Sequence, residues 1–231
     1  MTFQKLRVAL DGPSGAGKST IAKKVAEKTG FVYVDTGALY RTVGLYMAEH
    51  GIAMEDEAGI IAALHAVDVD LTYEDGKQCV KLNGIPVGER IRTEMASAYA
   101  SAVSKIPAVR AFLLDMQKKI ASRGGVIMDG RDIGTVIIPD AEVKIFMTAT
   151  AEERARRRHK EQLEKGIDVT FEEVLANIIA RDKQDSEREA APLKKADDAV
   201  EFVNDGYDIE QSADYIINLM KKTAETMADG N

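Results

Sequence analysis

The sequence predicts an α/β fold: a five-stranded parallel sheet flanked by helices, with a small antiparallel three-stranded insert and a short arginine-rich lid. Three observations lead there. Five short apolar runs, at residues 8–10, 31–34, 126–128, 143–147 and 200–203, are separated by stretches of helical periodicity, which is how parallel strands are joined. Residues 67–73 and 78–82 instead alternate apolar and polar side chains, punctuated by Asp75-Gly76 and Asn83-Gly84 ahead of Ile85-Pro86-Val87. Such dipeptides supply the positive-φ residues of a tight hairpin, so this stretch is an antiparallel meander inserted between parallel strands. Helix starts are marked by capping-box spacings at Thr150 and Glu153, Thr170 and Glu173, and Asp208 and Gln211. Pro107 suits the first turn of a helix running to the neighbourhood of Arg123, which Gly124-Gly125 ends. The tail, 227–231, is expected to fray.

The first apolar run leads directly into Gly12-Pro13-Ser14-Gly15-Ala16-Gly17-Lys18-Ser19-Thr20, which fits G-x-x-x-x-G-K-[ST]. Beyond it Ile21, Ala22, Val25 and Ala26 share one helical face, and Gly30 is a natural stop. Strand, glycine loop and helix in this order form a P-loop: backbone N–H groups converge on an anion, and the helix N-terminus adds partial positive charge. Lys18 can reach the β- and γ-phosphates of a nucleoside triphosphate, and the Ser19 hydroxyl can ligate Mg²⁺. The core is therefore expected to be that of a P-loop NTPase binding a nucleoside triphosphate.

Composition narrows the partners. At 231 residues with 45% hydrophobic and 30% charged residues, the chain fits one soluble domain with small excursions. A net charge of −7 argues against nucleic acid, which demands a basic face. A polyanionic ligand must then meet locally concentrated arginine. The single cysteine, Cys79, sits in an alternating strand and excludes an internal disulfide. No leader pattern opens the chain and no apolar run reaches membrane-spanning length, so a cytoplasmic protein without membrane partners, acting as a monomer, is expected.

Asp11, Asp35 and Asp129 each follow an apolar run, at the strand ends where open α/β sheets bind ligands, although some will only cap a helix. Asp35-Thr36-Gly37-Ala38-Leu39-Tyr40-Arg41 opens a helix at Thr36 or Gly37. Tyr40 and Arg41 on its first turns offer a cradle for a second phosphate, or an ordinary cap and a surface arginine. Asp129-Gly130-Arg131-Asp132-Ile133-Gly134-Thr135 places Asp129 where P-loop proteins keep the carboxylate that steadies Mg²⁺, with Arg131 and Asp132 at the mouth of the site, or forms a β-turn salt-bridge cluster. Arg181, Asp185 and Arg188 are spaced to share one face of the helix that begins near Thr170, on an arc apart from Val174, Leu175, Ile178 and Ile179. That stripe can pair internally, or read a phosphate and a sugar hydroxyl. Arg154, Arg156, Arg157 and Arg158 load another helix, which can close over phosphates or can be a solvated face balanced by Glu152, Glu153 and Glu161.

Together with Ile91-Arg92-Thr93, Ala100-Ser101, Pro107 through Arg110, and Ala191-Pro192-Leu193, these motifs resemble the bacterial cytidylate kinase family of nucleoside monophosphate kinases, over nearly the whole chain. The resemblance implies one kinase domain over 1–231, an inserted monophosphate-binding subdomain at 67–103 and a lid at 151–168. It implies that Gly12 to Thr20 hold ATP, and that Thr36, Tyr40 and Arg41 line the monophosphate pocket. Ser101, Arg110 and Asp132 would read cytosine. Arg181 and Asp185 would hold the ribose, with Arg131, Arg181 and Arg188 around its phosphate. Lys18, Arg131, Arg188 and the lid arginines Arg154 and Arg158 would be catalytic, with Ser19 and Asp129 on Mg²⁺. Many relatives carry Ser at the Thr36 position and Gly at the Ser19 position. Thr36 keeps the hydroxyl, and Ser19 restores a direct magnesium ligand.

The expected reaction is transfer of phosphate from ATP to CMP or dCMP with Mg²⁺. The acceptor is already an anion and needs no strong base, so His50, His65 and His159 are expected to be bystanders on helix surfaces. Two alternatives stand beside it. One is a kinase for another acceptor, such as UMP, AMP or an alcohol deprotonated by Asp35 or Asp129. The other is an ATP-dependent switch or adaptor, and the absence of the guanine-reading pattern Asn-Lys-x-Asp weakens the switch reading.

Overall fold

The structure, a computed structural model, describes residues 2–74 and 77–229. In chain order its elements are β1 (Arg7–Asp11), α1 (Lys18–Thr29), β2 (Val32–Asp35), α2 (Thr36–Glu49), α3 (Glu57–Ala63), β3 (Val69–Glu74), β4 (Lys77–Leu82), β5 (Ile85–Pro86), α4 (Glu94–Val103), α5 (Pro107–Ala121), β6 (Val126–Gly130), β7 (Val143–Thr148), α6 (Ala151–Glu164), α7 (Phe171–Glu187), β8 (Val200–Val203) and α8 (Ile209–Asp229). Two sheets result, five strands in the order β2-β6-β1-β7-β8 and three in the order β3-β4-β5. The chain divides into two compact units, Met1–Val32 with Arg123–Asn231, and Tyr33–Ser122.

In the first unit β1 is central and pairs in parallel with β6 and β7, and β7 pairs in parallel with β8. Val8, Ala9 and Leu10 are fully buried, which is why β1 reads as an unbroken apolar run rather than an alternation. Ile21, Ala22, Val25 and Ala26 form the buried face of α1, as the spacing requires. The capping pair at the start of α8 is reciprocal: Asp208 N–H donates to Gln211 and Gln211 N–H to Asp208. Thr170 and Glu173 form a full capping box on α7, while Thr150 caps α6 through the Glu153 N–H. The expected frayed tail is helical as far as Asp229, and Gly230 and Asn231 lie outside the described residues.

Two expectations about α7 change. Arg188 is not on the helix; it is the extended residue just past its end. Asp185 also does not lie on an arc apart from the apolar residues. Ile178, Arg181 and Asp185 step by three and four, and Val174, Ile178 and Asp185 are the buried residues of α7, while Ile179 is exposed. Tertiary charge, not apolarity, buries the last of that stripe.

In the second unit β3 and β4 pair antiparallel with Val69 opposite Leu82, Leu71 opposite Val80 and Tyr73 opposite Gln78. Asn83 and Gly84 have φ of 50° and 79°, the two positive angles of the expected two-residue turn. The expected turn at Asp75-Gly76 lies outside the described residues. Val69, Val80 and Leu82 join Leu39, Val43 and Met47 of α2 and Val109 and Leu113 of α5 in one core. Gly44 lets α2 approach α4 closely: a Cβ there would sit 2.7 Å from Tyr99 Cβ and 3.0 Å from the Ala100 nitrogen.

Candidate active site

The glycine loop occupies the turn from β1 into α1. Gly12 has φ of 150°, and a Cβ there would stand 1.9 Å from the Met147 carbonyl oxygen, so only glycine lets the loop leave β1 beside β7. Lys18, the first residue of α1, is buried and donates to the Pro13 carbonyl at 2.7 Å. Burial pushes the Lys18 ammonium down to about 7; the Arg131 charge adds to this, against the pull of Asp129, Asp11 and Asp185. A phosphate arriving beside Lys18 would reverse that balance.

Ser19 donates to the Asp129 carboxylate at 2.5 Å, so the two residues expected on magnesium are already adjacent across α1 and the end of β6. Mg²⁺ is held by one or two protein oxygens with phosphate and water completing its shell, and a hydroxyl beside a carboxylate fits that requirement. Asp11 does not cap the helix that follows it. Its carboxylate accepts the Ile133 and Gly134 N–H groups, both at 2.8 Å, at the start of a wide helical turn, Ile133–Ile137, closed by Ile138 N–H on the Ile133 carbonyl. Burial raises Asp11 to about 6 despite those two donors. The segment that follows β6 is thereby ordered from β1.

Arg131, Asp132, Asp185 and Arg188 come together in the first unit. Arg131 Nε bonds Asp185 at 2.9 Å, and Arg188 stands 3.6 Å from Asp132 and 4.0 Å from Asp185. Burial works to raise the Asp185 carboxyl, but Arg131, then Arg181 and Arg188, outweigh it and hold it below the usual range. Arg131 and Arg188 thus share one buried carboxylate, on which the Arg181 charge also acts. Arg188 also donates to the Ala191 carbonyl at 2.6 Å, which explains why the chain bends out of α7 there.

The arginines of α6 divide by depth. Arg154 is buried: it donates to the Ala149 and Ser14 carbonyls, each at 3.0 Å, and pairs with Asp182 at 2.6 Å. Arg157 reaches the Ala16 carbonyl at 3.5 Å and the Asn204 side chain at 3.3 Å, and buried Asn204 donates to Ala16 at 3.0 Å. Arg158 lies at the surface on Glu161 at 3.0 Å. Sequence reasoning gave Asp182 and Asn204 no role; Asp182 adjoins Arg181 and Asn204 directly follows β8, the only signals on offer.

In the second unit Asp35 caps α2. One carboxylate oxygen accepts the Ala38 N–H at 2.9 Å and the other pairs with Arg41 at 2.7 Å. Thr36, the first residue of α2, and Tyr40 are buried. The Arg110 guanidinium lies over the Tyr40 ring, 5.6 Å from its centroid, and donates to the Ser104 carbonyl at 3.2 Å. Ser101 is half-buried on α4. Of the histidines, His50 stacks on Tyr46, His65 meets the Ala62 carbonyl, and His159 hydrogen-bonds the Val169 carbonyl.

A parallel sheet with a lysine-bearing glycine loop at the end of β1, and arginine gathered beside it, defines a P-loop phosphate-binding protein. Comparison with known proteins is more specific. A family model described as cytidylate kinase matches residues 8–222. A cytidylate kinase from Carboxydothermus hydrogenoformans is 45% identical over 96% of this chain and 100% of its own, and one from Thermosipho africanus is 48% identical over 93% and 94%. The chain belongs to the cytidylate kinase family. An uncharacterised protein from Eubacterium ventriosum matches in fold alone, with a TM-score of 0.50 and 12% identity over 94% of this chain and 99% of that one.

Proposed function

We propose that this protein transfers the γ-phosphoryl group of ATP to CMP and dCMP, giving ADP with CDP or dCDP. The observation that carries the proposal is the charge cluster beside the glycine loop: Lys18, Arg131 and Arg188 around Asp185, with Ser19 and Asp129 alongside. A protein that only bound ATP would have no need of that second set of guanidinium groups.

In this proposal an acceptor phosphate oxygen attacks the γ-phosphorus as the bond to the β-phosphate oxygen breaks, and ADP departs with that electron pair. The acceptor is already ionised, so alignment and charge neutralisation are the whole task. Lys18 exchanges the Pro13 carbonyl for phosphate oxygens. Ser19 and Asp129 would hold Mg²⁺, which supplies positive charge to the donor phosphates. Arg131 and Arg188 take the phosphate side of the acceptor, and Arg181 and Asp185 its ribose. Asp132, Ser101 and Arg110 read the cytosine amino group and its neighbouring edge, and Thr36, Tyr40 and Arg41 line the monophosphate pocket. Of the lid arginines, Arg154 serves by holding the loop at Ser14, and Arg158 by exchanging Glu161 for phosphate.

The test is ADP release from ATP with CMP, dCMP, UMP and AMP supplied in turn. Fast turnover with the two cytidylates and slow turnover with the others is expected. Hydrolysis that ignores every monophosphate would point to a switch instead.

A further inference from the structure

We propose that Gln78, with its cross-strand partner Tyr73, is a positioning residue for the acceptor pocket, acting through the backbone of Asp35. The proposal rests on the function assigned above.

Along the packed face of the β3-β4 hairpin the pairs run Val69 with Leu82, Leu71 with Val80, then Tyr73 with Gln78. The first two pairs are apolar, and Val69, Val80 and Leu82 are buried. Gln78 continues that inward row, where the alternation calls for an apolar side chain. A half-buried amide must find partners, and this one finds two on a single residue. Asp35 N–H donates to Gln78 Oε1 at 2.7 Å, and Gln78 Nε2 donates to the Asp35 carbonyl at 3.2 Å. Tyr73 donates its phenolic hydrogen to the Tyr33 carbonyl at 3.2 Å.

β2 is an outer strand of its sheet, and residues 33 and 35 present their backbone groups to the same side. Two side chains therefore do for this edge what another strand would do. The gripped residue matters, because the Asp35 carboxylate caps α2 and holds Arg41 at 2.7 Å. Gln78 fixes the backbone, the backbone aims the carboxylate, and the carboxylate orders Arg41 and the helix start at Thr36.

The experiment uses the full-length enzyme as Gln78→Ala, Gln78→Glu and Tyr73→Phe. It measures steady-state constants for both substrates and hydrogen exchange of the Asp35 amide. Gln78→Ala should accelerate that exchange and raise KM for CMP about tenfold, the scale of one or two lost hydrogen bonds, with KM for ATP unchanged. Gln78→Glu keeps the acceptor but turns an oxygen toward the Asp35 carbonyl, so it should behave as badly. Tyr73→Phe keeps the ring and should shift KM in the same direction by less. Unchanged exchange, or equal changes in both KM values, would overturn the proposal. If the unaltered enzyme ignored CMP and dCMP, the functional assignment would fail by itself, and the same split would be read with whichever acceptor it does use.

Discussion

Asp185 illustrates how single residues here are set by charge rather than by apolarity. Its carboxylate is buried, and three arginines keep it ionised. A depressed carboxylate stabilises the fold above its ordinary value of 3.8, and that contribution is lost as pH falls through the folded value. Asp185→Asn should therefore cost about 3 kcal/mol near pH 7, because it leaves buried guanidinium charge uncompensated. The difference from the unaltered protein should shrink as pH falls from the ordinary value of 3.8 through the depressed folded value; urea titrations at several pH values measure it. Asp132 makes a chemical prediction instead. Asp132→Ala removes a charged acceptor from the proposed base contact, worth roughly 1.5–3 kcal/mol, so discrimination between CMP and UMP should fall at least tenfold. A variant with unaltered discrimination in paired kcat/KM measurements would remove Asp132 from the base-reading set.

At the scale of elements, helix starts were legible because capping is local: Thr170 with Glu173 and Asp208 with Gln211 need only a three-residue spacing. The end of α7 was not. Arg188 leaves the helix where its guanidinium donates to the Ala191 carbonyl and stands beside Asp132 and Asp185, and the contact with Asp132 joins segments whose approach no local spacing encodes. Gly44 is a similar case. Within α2 it costs helix propensity, and its reason appears only where Tyr99 and Ala100 of α4 come against it. Gly44→Ala should destabilise by about 2 kcal/mol despite its better propensity, since overpacking against backbone cannot be relieved by a rotamer change. Thermal unfolding followed by circular dichroism reads this directly. A Tm equal to or above that of the unaltered protein would show that the two helices can part freely.

At the scale of the whole molecule, stability and the phosphate site oppose each other. Lys18, lowered from 10.5 to about 7, is stabilised in the neutral form by folding, so its destabilising effect is full below pH 7 and fades as pH approaches 10.5. Asp11, raised from 3.8 to about 6, destabilises fully above pH 6 and not below its unfolded value. Both penalties coincide between about 6 and 7. Lys18→Met should consequently raise Tm by a few degrees at pH 7 while reducing kcat about a thousandfold, and its advantage should vanish toward pH 10. Scanning calorimetry across that range, with turnover measured beside it, tests both halves. The amino-acid order alone determined the strands, the glycine loop, the hairpins and the family, because each is written in neighbouring residues or in a fixed period. Only the tertiary structure decided which charges are buried together. It is the fold that brings Asp11 to Ile133, Arg154 to Ser14 and Gln78 to Asp35, since a contact between distant segments depends on how apolar faces pack, and no local spacing carries that information.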